Sequence, residues 1–325
     1  MRTWVRGLGG KEALASVLVL LFGACALANG APIPHGTLDL IAENPWVAAG
    51  RQFNLGLHFQ LEKGWHIYWV NPGDSGEPPR VEWRLPGGIT VAAIEWPTPQ
   101  RFQSSTIVDY GYEDEVLLIA PLNVDAHLGQ QASIQVGAAV KLLVCSHEMC
   151  VPGKAELSLT LPMRPDSHAP DARNGDIFAA TRKSLPQRMP ANWRLSVSQT
   201  SDSFVVTADL GNPTAGRTIR RAIFYPLVES QIENAAPQNL ISQASGFQLT
   251  LRKSDQLVNL PERLKGVLVV SFGSSQPDQA YSVDAPIKHA APLSPGDVKK
   301  RGPALGIRQN GQSLPIQSLK EEPQI

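Results

Sequence analysis

Cysteine is scarce in this chain: three residues in 325, and one of them, Cys25, lies in an N-terminal apolar stretch. No Cys-x-x-Cys occurs, so a thioredoxin-type active site is excluded. An excess of one charge sign is also missing. The chain has 29 basic and 29 acidic residues, net charge zero, and so no field to attract nucleic acid. After the N-terminal stretch no segment reaches the roughly 20 consecutive apolar residues that cross a bilayer as a helix. Long helical periodicities are absent too, which argues against a helical or α/β fold. What remains is 42% apolar and only 18% charged, with 27 Gly and 27 Pro, a composition that suits packed β domains with many turns. The length favours two domains over one.

The N-terminus reads as an export signal. Arg2, Arg6 and Lys11 precede the apolar run Ala13 to Ala28, which ends in Ala26-Leu27-Ala28. A leader over residues 1–28 is expected, with lipidation at Cys25 after Phe22-Gly23-Ala24 as the alternative. Either outcome places the folded part beyond the cytoplasmic membrane, in a compartment that permits disulfides.

Period-two patterns then recur. Gln52 to Leu61 puts Phe53, Leu55, Leu57 and Phe59 on one face. Ile134, Val136, Ala138, Val140, Leu142 and Val144 all fall on even positions. Thr37–Glu43, Trp65–Val70, Glu115–Leu122 and Lys154–Leu161 add further strands, separated by Asn71-Pro72-Gly73 and Pro86-Gly87-Gly88. These predict a β-sandwich over residues 37–163. Residues 164–191 are rich in Pro, Arg, Asp and Ser and read as a linker with one short helix, Asp176 to Leu185, stopped by Pro186. Six more strand patterns predict a second sandwich over residues 192–289. The polar, aperiodic residues 290–325 read as a disordered tail. The fold expected is thus all-β, two immunoglobulin-like sandwiches in series.

The chemistry is concentrated in Lys141-Leu142-Leu143-Val144-Cys145-Ser146-His147-Glu148-Met149-Cys150-Val151-Pro152-Gly153. Two thiols separated by four residues at the end of a strand can close a small disulfide. Such a loop adds only roughly 2 kcal/mol by chain entropy. If the even residues face the core, Cys145 faces the other way, where a partner thiol can reach it. Lys141 and His147 would favour its thiolate, and Glu148 would oppose it. Three readings stand at this point. The pair is a redox centre, or an ordinary structural bridge, or part of a soft-metal site. In the last case Cys145, His147, Met149 and Cys150 would bind copper. No other cofactor is suggested.

The segments Gly64-Trp65-His66-Ile67-Tyr68-Trp69-Val70-Asn71-Pro72-Gly73-Asp74-Ser75-Gly76-Glu77-Pro78-Pro79, Trp96-Pro97-Thr98-Pro99, Asp109-Tyr110-Gly111-Tyr112-Glu113 and Cys145 to Gly153 occur in an order that resembles a known family. It is the N-terminal periplasmic domain of the DsbD/ScsB thiol:disulfide interchange proteins, with the ScsB-like branch fitting best. The resemblance implies a periplasmic immunoglobulin-like domain whose Cys145 and Cys150 carry electrons. Cys150 forms the mixed disulfide and Cys145 resolves it. It also implies a cap loop over the pair, here Pro97 to Tyr110, with Phe102 shielding the sulfurs and Tyr110 at its end. Implied partners are a membrane thiol reductase of the DsbD/ScsB or CcdA type and exported thioredoxin-like or disulfide-isomerase proteins. The membrane and thioredoxin-like domains of that family have no counterpart in these 325 residues, so a separate chain is expected to supply the electrons. Trp65, Tyr68 and Trp69 read as core aromatics, His66 as a packed or surface histidine, and Asp74 and Glu77 as turn or solvated residues.

Overall fold

Hydrophobic alternation builds two β-sandwiches, the second of which ends at Lys288. The computed structural model describes residues 30–164, 172–211, 219–273 and 277–288. The expected leader, Cys25 and the expected tail lie outside the described residues.

The first sandwich holds β1 (Ala31–Ile33), β2 (Gly36–Ala42), β3 (Gln52–Leu61), β4 (His66–Gly73), β5 (Arg80–Arg84), β6 (Ile89–Val91), β7 (Gln100–Ser104), β8 (Ile107–Glu113), β9 (Glu115–Val124), β10 (Ser133–Cys145) and β11 (Cys150–Pro162). One sheet runs β1-β2-β3-β9-β6 and the other β11-β10-β4-β8-β7, with β5 also paired to β10. The core lies between them. Phe53, Leu55, Leu57 and Phe59 from β3 meet Val136, Ala138, Val140, Leu142 and Val144 from β10, all buried. The even-parity reading of β10 therefore holds.

The helix expected within the linker packs on this sandwich. Helix α1 (Ala172–Ser184) begins four residues before the expected Asp176. Its Phe178 is fully buried against Leu117 and Ile119, which point away from the main core of β9. Gly56 leaves room for it, since a Cβ there would sit 3.0 Å from Phe178 Cζ and 2.4 Å from Leu117 Cδ1. This explains why β9 reads as a continuous apolar run rather than an alternating one. The helix is fastened at both ends. Asn174 Nδ2 donates to the Ala42 carbonyl at 2.9 Å, and Arg182 forms a two-pronged ion pair with Glu43 at 2.6 and 2.7 Å. The Thr98 N–H and hydroxyl donate to the Ser184 carbonyl at 2.8 and 2.9 Å.

The second sandwich holds β12 (Arg194–Gln199), β13 (Ser203–Asp209), β14 (Ile219–Pro226), β15 (Asn239–Gln243), β16 (Gly246–Arg252), β17 (Arg263–Phe272) and β18 (Gln279–Lys288), in the order β14-β17-β18-β12-β13-β16-β15. Strand β18 joins the two layers: it is antiparallel to β17 and parallel to β12 at Val197 and Ser198. Strand β17 is apolar on both faces for a reason of position. Leu264, Leu268, Val270 and Phe272 fill the second core, whereas Val267 and Val269 join Tyr225 in the first. The two sandwiches thus share an apolar contact.

Phe178→Ala should lower the stability of the chain by about 3 kcal/mol, the cost of emptying a large buried aromatic site. Urea unfolding followed by tryptophan fluorescence measures this. An unchanged midpoint would mean that α1 does not stay on β9.

Candidate thiol site

Strands β10 and β11 form a hairpin closed by Ser146, His147, Glu148 and Met149. Its last rung pairs Cys145 with Cys150, Cα atoms 4.1 Å apart, and the two sulfurs are joined. This is the close, non-hydrogen-bonded type of antiparallel pair, because the next residues out exchange the bond: Ser146 N–H donates to the Met149 carbonyl at 2.8 Å. The Ser146 hydroxyl also accepts from the Glu148 and Met149 N–H groups at 3.1 and 3.3 Å, which fixes the loop without a glycine. Val151, Pro152 and Gly153 are strand residues here, paired with Val144, Leu143 and Leu142.

The two sulfurs differ in access. Cys145 is 1% exposed, while Cys150 is exposed. Parity correctly turns Cys145 away from the core, but not into solvent. That part of the sequence reading is corrected by strand β4, which pairs with β10 at Cys145 and His66. Along β4, Ile67 and Trp69 point into the core, so His66 and Tyr68 point outward over the sulfurs. The Tyr68 hydroxyl donates to Cys145 Sγ at 2.9 Å and lies 3.6 Å from Cys150 Sγ. Tyr68 is itself covered by the turn after β4. Gly76, at φ +81°, lies so close that a Cβ would fall 2.1 Å from the Tyr68 ring. Only glycine suits both the dihedral and the space.

His66 and Phe102 lie beside Tyr68. Phe102 stacks on His66 with centroids 4.6 Å apart and planes 21° apart, and His66 meets Tyr68 edge-on at 5.2 Å. The expected cap loop is an ordered hairpin, β7–β8, that turns at Ser105 and Thr106. Its entry is held by the Tyr112 hydroxyl, which donates to the Pro97 carbonyl at 2.7 Å. Tyr110 takes no part in covering the sulfurs. It is buried, edge-on to Trp69 and Tyr225, and donates to Asn234 Oδ1 at 3.0 Å. It belongs to the contact between the sandwiches.

Charge is kept away from the buried sulfur. Burial, aided by His147, pushes the His66 imidazole down to about 4, so it is neutral at physiological pH. Its Nε2 has no partner. Burial also raises the Tyr68 phenol, and the Asp109 charge adds to this, while Ser75 opposes it. Burial raises Asp109 as well, although it accepts from the Ser75 N–H and hydroxyl. Lys141 does not assist the thiol. It pairs with Glu82 at 3.2 Å, four residues and roughly 13 Å down the strand.

The copper set does not converge in this state. Cys145 and Cys150 are bonded to each other, and His147 and Met149 lie exposed in the loop. Among the described residues no group of three or more His, Cys, Asp and Glu side chains is placed to hold a metal ion. The remaining sequence candidates fall into structural roles. Trp69 is core, and Trp65 stacks on His35 at 3.5 Å. Asp74 accepts from the Val108 N–H at 2.8 Å, and Glu77 pairs with Arg80. Sequence reasoning missed Tyr68, though its signal was present: it shares parity with His66, opposite to Ile67 and Trp69.

Residues 39–162 match the family model "Thiol:disulfide interchange protein DsbD, N-terminal". No curated protein matches the chain in sequence. Among solved structures the chain is similar to the N-terminal periplasmic domain of ScsB from Proteus mirabilis, at 16% identity and TM-score 0.50, over 77% of this chain and 92% of that one. That likeness concerns the fold alone, and it spans both sandwiches. Matches to titin domains z1z2 (10% identity, TM-score 0.17, 79% and 98% covered) and to the Bacillus cereus pilin subunit BcpA (9%, 0.26, 78% and 66%) are too weak to carry any argument. With its cross-strand cysteine pair and the matched sequence over residues 39–162, the first sandwich is similar to the N-terminal domains of DsbD thiol:disulfide interchange proteins.

Proposed function

We propose that the chain is a thiol:disulfide interchange module, exported to the periplasm, that passes electrons through Cys145 and Cys150. The observation that carries this reading is the asymmetry of the disulfide: an exposed Cys150 bonded to a buried Cys145 whose sulfur accepts a hydrogen bond from Tyr68. A structural bridge has no need of that division.

A partner thiolate attacks Cys150 Sγ in line with the S–S bond. The new S–S bond forms as the old one breaks, and the electron pair leaves on Cys145 Sγ. The Tyr68 hydroxyl stabilises that thiolate. A second partner thiol then attacks its own sulfur in the mixed disulfide and frees Cys150. The partner is oxidised to a disulfide and the module reduced to a dithiol, two electrons having moved. Delivery runs in reverse. The Cys150 thiolate attacks the disulfide of an exported protein, and Cys145 resolves the mixed disulfide by attacking Cys150 Sγ. The chemistry suits a membrane thiol reductase as donor and thioredoxin-like or disulfide-isomerase proteins as acceptors.

The potential of the pair should lie above about −300 mV, the level below which bridges in exported proteins are purely structural. A dithiothreitol or glutathione titration of the folded chain measures it. A lower value, with no reaction until denaturant is added, would refute the relay.

Trapping separates the two cysteines. Cys145→Ser should accumulate mixed disulfides through Cys150 in periplasmic extract, seen on non-reducing gels and by mass spectrometry. Cys150→Ser should trap far less, because its remaining thiol is buried. Equal trapping would overturn the assigned roles.

Tyr68→Phe keeps the ring and removes one hydrogen bond to a developing thiolate, which is worth roughly 1.5–3 kcal/mol. Exchange with a dithiol reductant should slow by about tenfold or more, with the circular dichroism unchanged. An unchanged rate would remove the hydroxyl from the mechanism.

A further inference from the structure

Two of the segments around the cysteine pair, the turn after β4 and the β7–β8 hairpin, are tied to one residue of the second sandwich. Asn234 lies between β14 and β15 and is 5% exposed. Its Nδ2 donates to Asp74 Oδ1 at 2.7 Å, and its Oδ1 accepts from the Tyr110 hydroxyl at 3.0 Å. Its backbone carbonyl accepts from Arg101 Nη2 at 3.2 Å. These three partners come from three places: the turn after β4, strand β8 and strand β7.

Each partner is close in sequence to a covering group. Arg101 precedes Phe102, the ring stacked on His66. Asp74 precedes Ser75 and Gly76, the residue laid on the Tyr68 ring. Asp74 also bonds Val108 through its carboxylate and through its N–H, at 2.8 and 2.9 Å, so the turn and the hairpin move as one. Around this centre Tyr225 meets Tyr110 edge-on at 5.2 Å, and Asn71 Nδ2 donates to the Pro226 carbonyl at 2.7 Å.

We infer that Asn234 is a positioning residue for thiol exchange: it holds the β7–β8 hairpin and the Asp74–Gly76 turn closed over His66, Tyr68 and the buried Cys145, the leaving sulfur, which gives the second sandwich a role in setting the reactivity of the pair. The inference rests on the exchange reading for its purpose, but not for its test. Losing the amide leaves the buried Tyr110 hydroxyl without its acceptor and takes a charge-assisted bond from the exposed Asp74 carboxylate. A buried group stripped of its hydrogen bond is costly, so the closed state loses its advantage over the open one.

The test uses the oxidised full chain and a phosphine, tris(2-carboxyethyl)phosphine. The phosphine attacks an accessible sulfur and is oxidised with water to the phosphine oxide, leaving two thiols, whether or not the pair serves any partner. Rates for Asn234→Ala and Asn234→Asp are read as ratios to the parent at pH 8 and pH 5, alongside hydrogen exchange of residues 100–110. Asn234→Ala should be reduced roughly tenfold faster at both pH values, the scale of one lost charge-assisted hydrogen bond, with faster exchange in the hairpin.

Asn234→Asp is nearly isosteric but sets a carboxylate against Asp74. The other charged or titratable groups near this point are Asp109, Arg101, Tyr110, Tyr225 and the adjacent Glu233. Two carboxylates this close cannot both stay ionised cheaply, so they share a proton as the pH falls. The variant should therefore match Asn234→Ala at pH 8 and return towards the parent at pH 5. A purely structural loss would not recover with acid. Ratios near one for both variants would overturn the inference, as would faster hydrogen exchange with an unchanged reduction rate. If the parent resists the phosphine altogether, variants that become reducible support the inference and variants that stay inert refute it. Failure of the exchange reading alone would appear instead in the potential and the trapping, with these ratios intact.

Discussion

Cys145 and Cys150 face each other across the last rung of a ladder thirteen residues long on each strand, and the site's geometry follows from that register. The even residues of β10 are locked into the core by the facing sheet, so Cys145 must project from the opposite face. A slip of one residue would send Cys145 into the core and expose Val144. The hairpin then fixes the second sulfur. Cys150 begins β11 at the edge of its sheet and meets solvent, while Cys145, one strand further in, lies under β4. The division of labour between an attacked sulfur and a leaving sulfur is thus a product of strand order rather than of any special loop.

A sulfur that faces outward from a two-layer sandwich still needs cover if it is to be buried, and three separate segments supply it. Strand β4 brings Tyr68 and His66, the turn after it brings Gly76, and the β7–β8 hairpin brings Phe102. None of these makes a core of its own. Their anchorage is polar and leads into the second sandwich through Asn234, beside the apolar contact of Tyr225, Val267 and Val269. Apolar contact sets where the sandwiches meet, and hydrogen bonds of defined direction set where the cover lies.

Period-two patterns made the strands legible because each has one face in a core, as in β3 and β10. They failed where a strand is buried on both faces or on neither. Strand β9 reads as a plain apolar run because Phe178 of α1 covers Leu117 and Ile119. Strand β7 is short and largely exposed and carries no apolar stripe, and that of β5 is only two residues long, Val81 and Trp83. The cysteine pair was legible from spacing and resemblance. Phe102 stacks on His66 and Tyr110 turns to the second sandwich, and nothing local in the sequence separates the two cases. Asn234 was invisible for the same reason: its partners are more than 120 residues away in sequence.

The electrostatics of the covered site bear on how its reactivity is set. A low-pKa exchange thiol ordinarily has a cation or a helix N-terminus beside it. Here His66, on the neighbouring strand, is held neutral by burial, and Lys141 is engaged with Glu82 far down the strand. One phenol hydroxyl, on Tyr68, is the polar group that reaches the Cys145 sulfur. A charge appearing on that sulfur under a closed cover would be poorly solvated, so the closed state opposes the departure of Cys145 as a thiolate. Lifting the hairpin admits water or a partner's own polar groups at the moment the charge forms. On the exchange reading, access and solvation change together in one motion. The pair is then quiet in isolation and reactive in a complex, without any permanent charge to activate it.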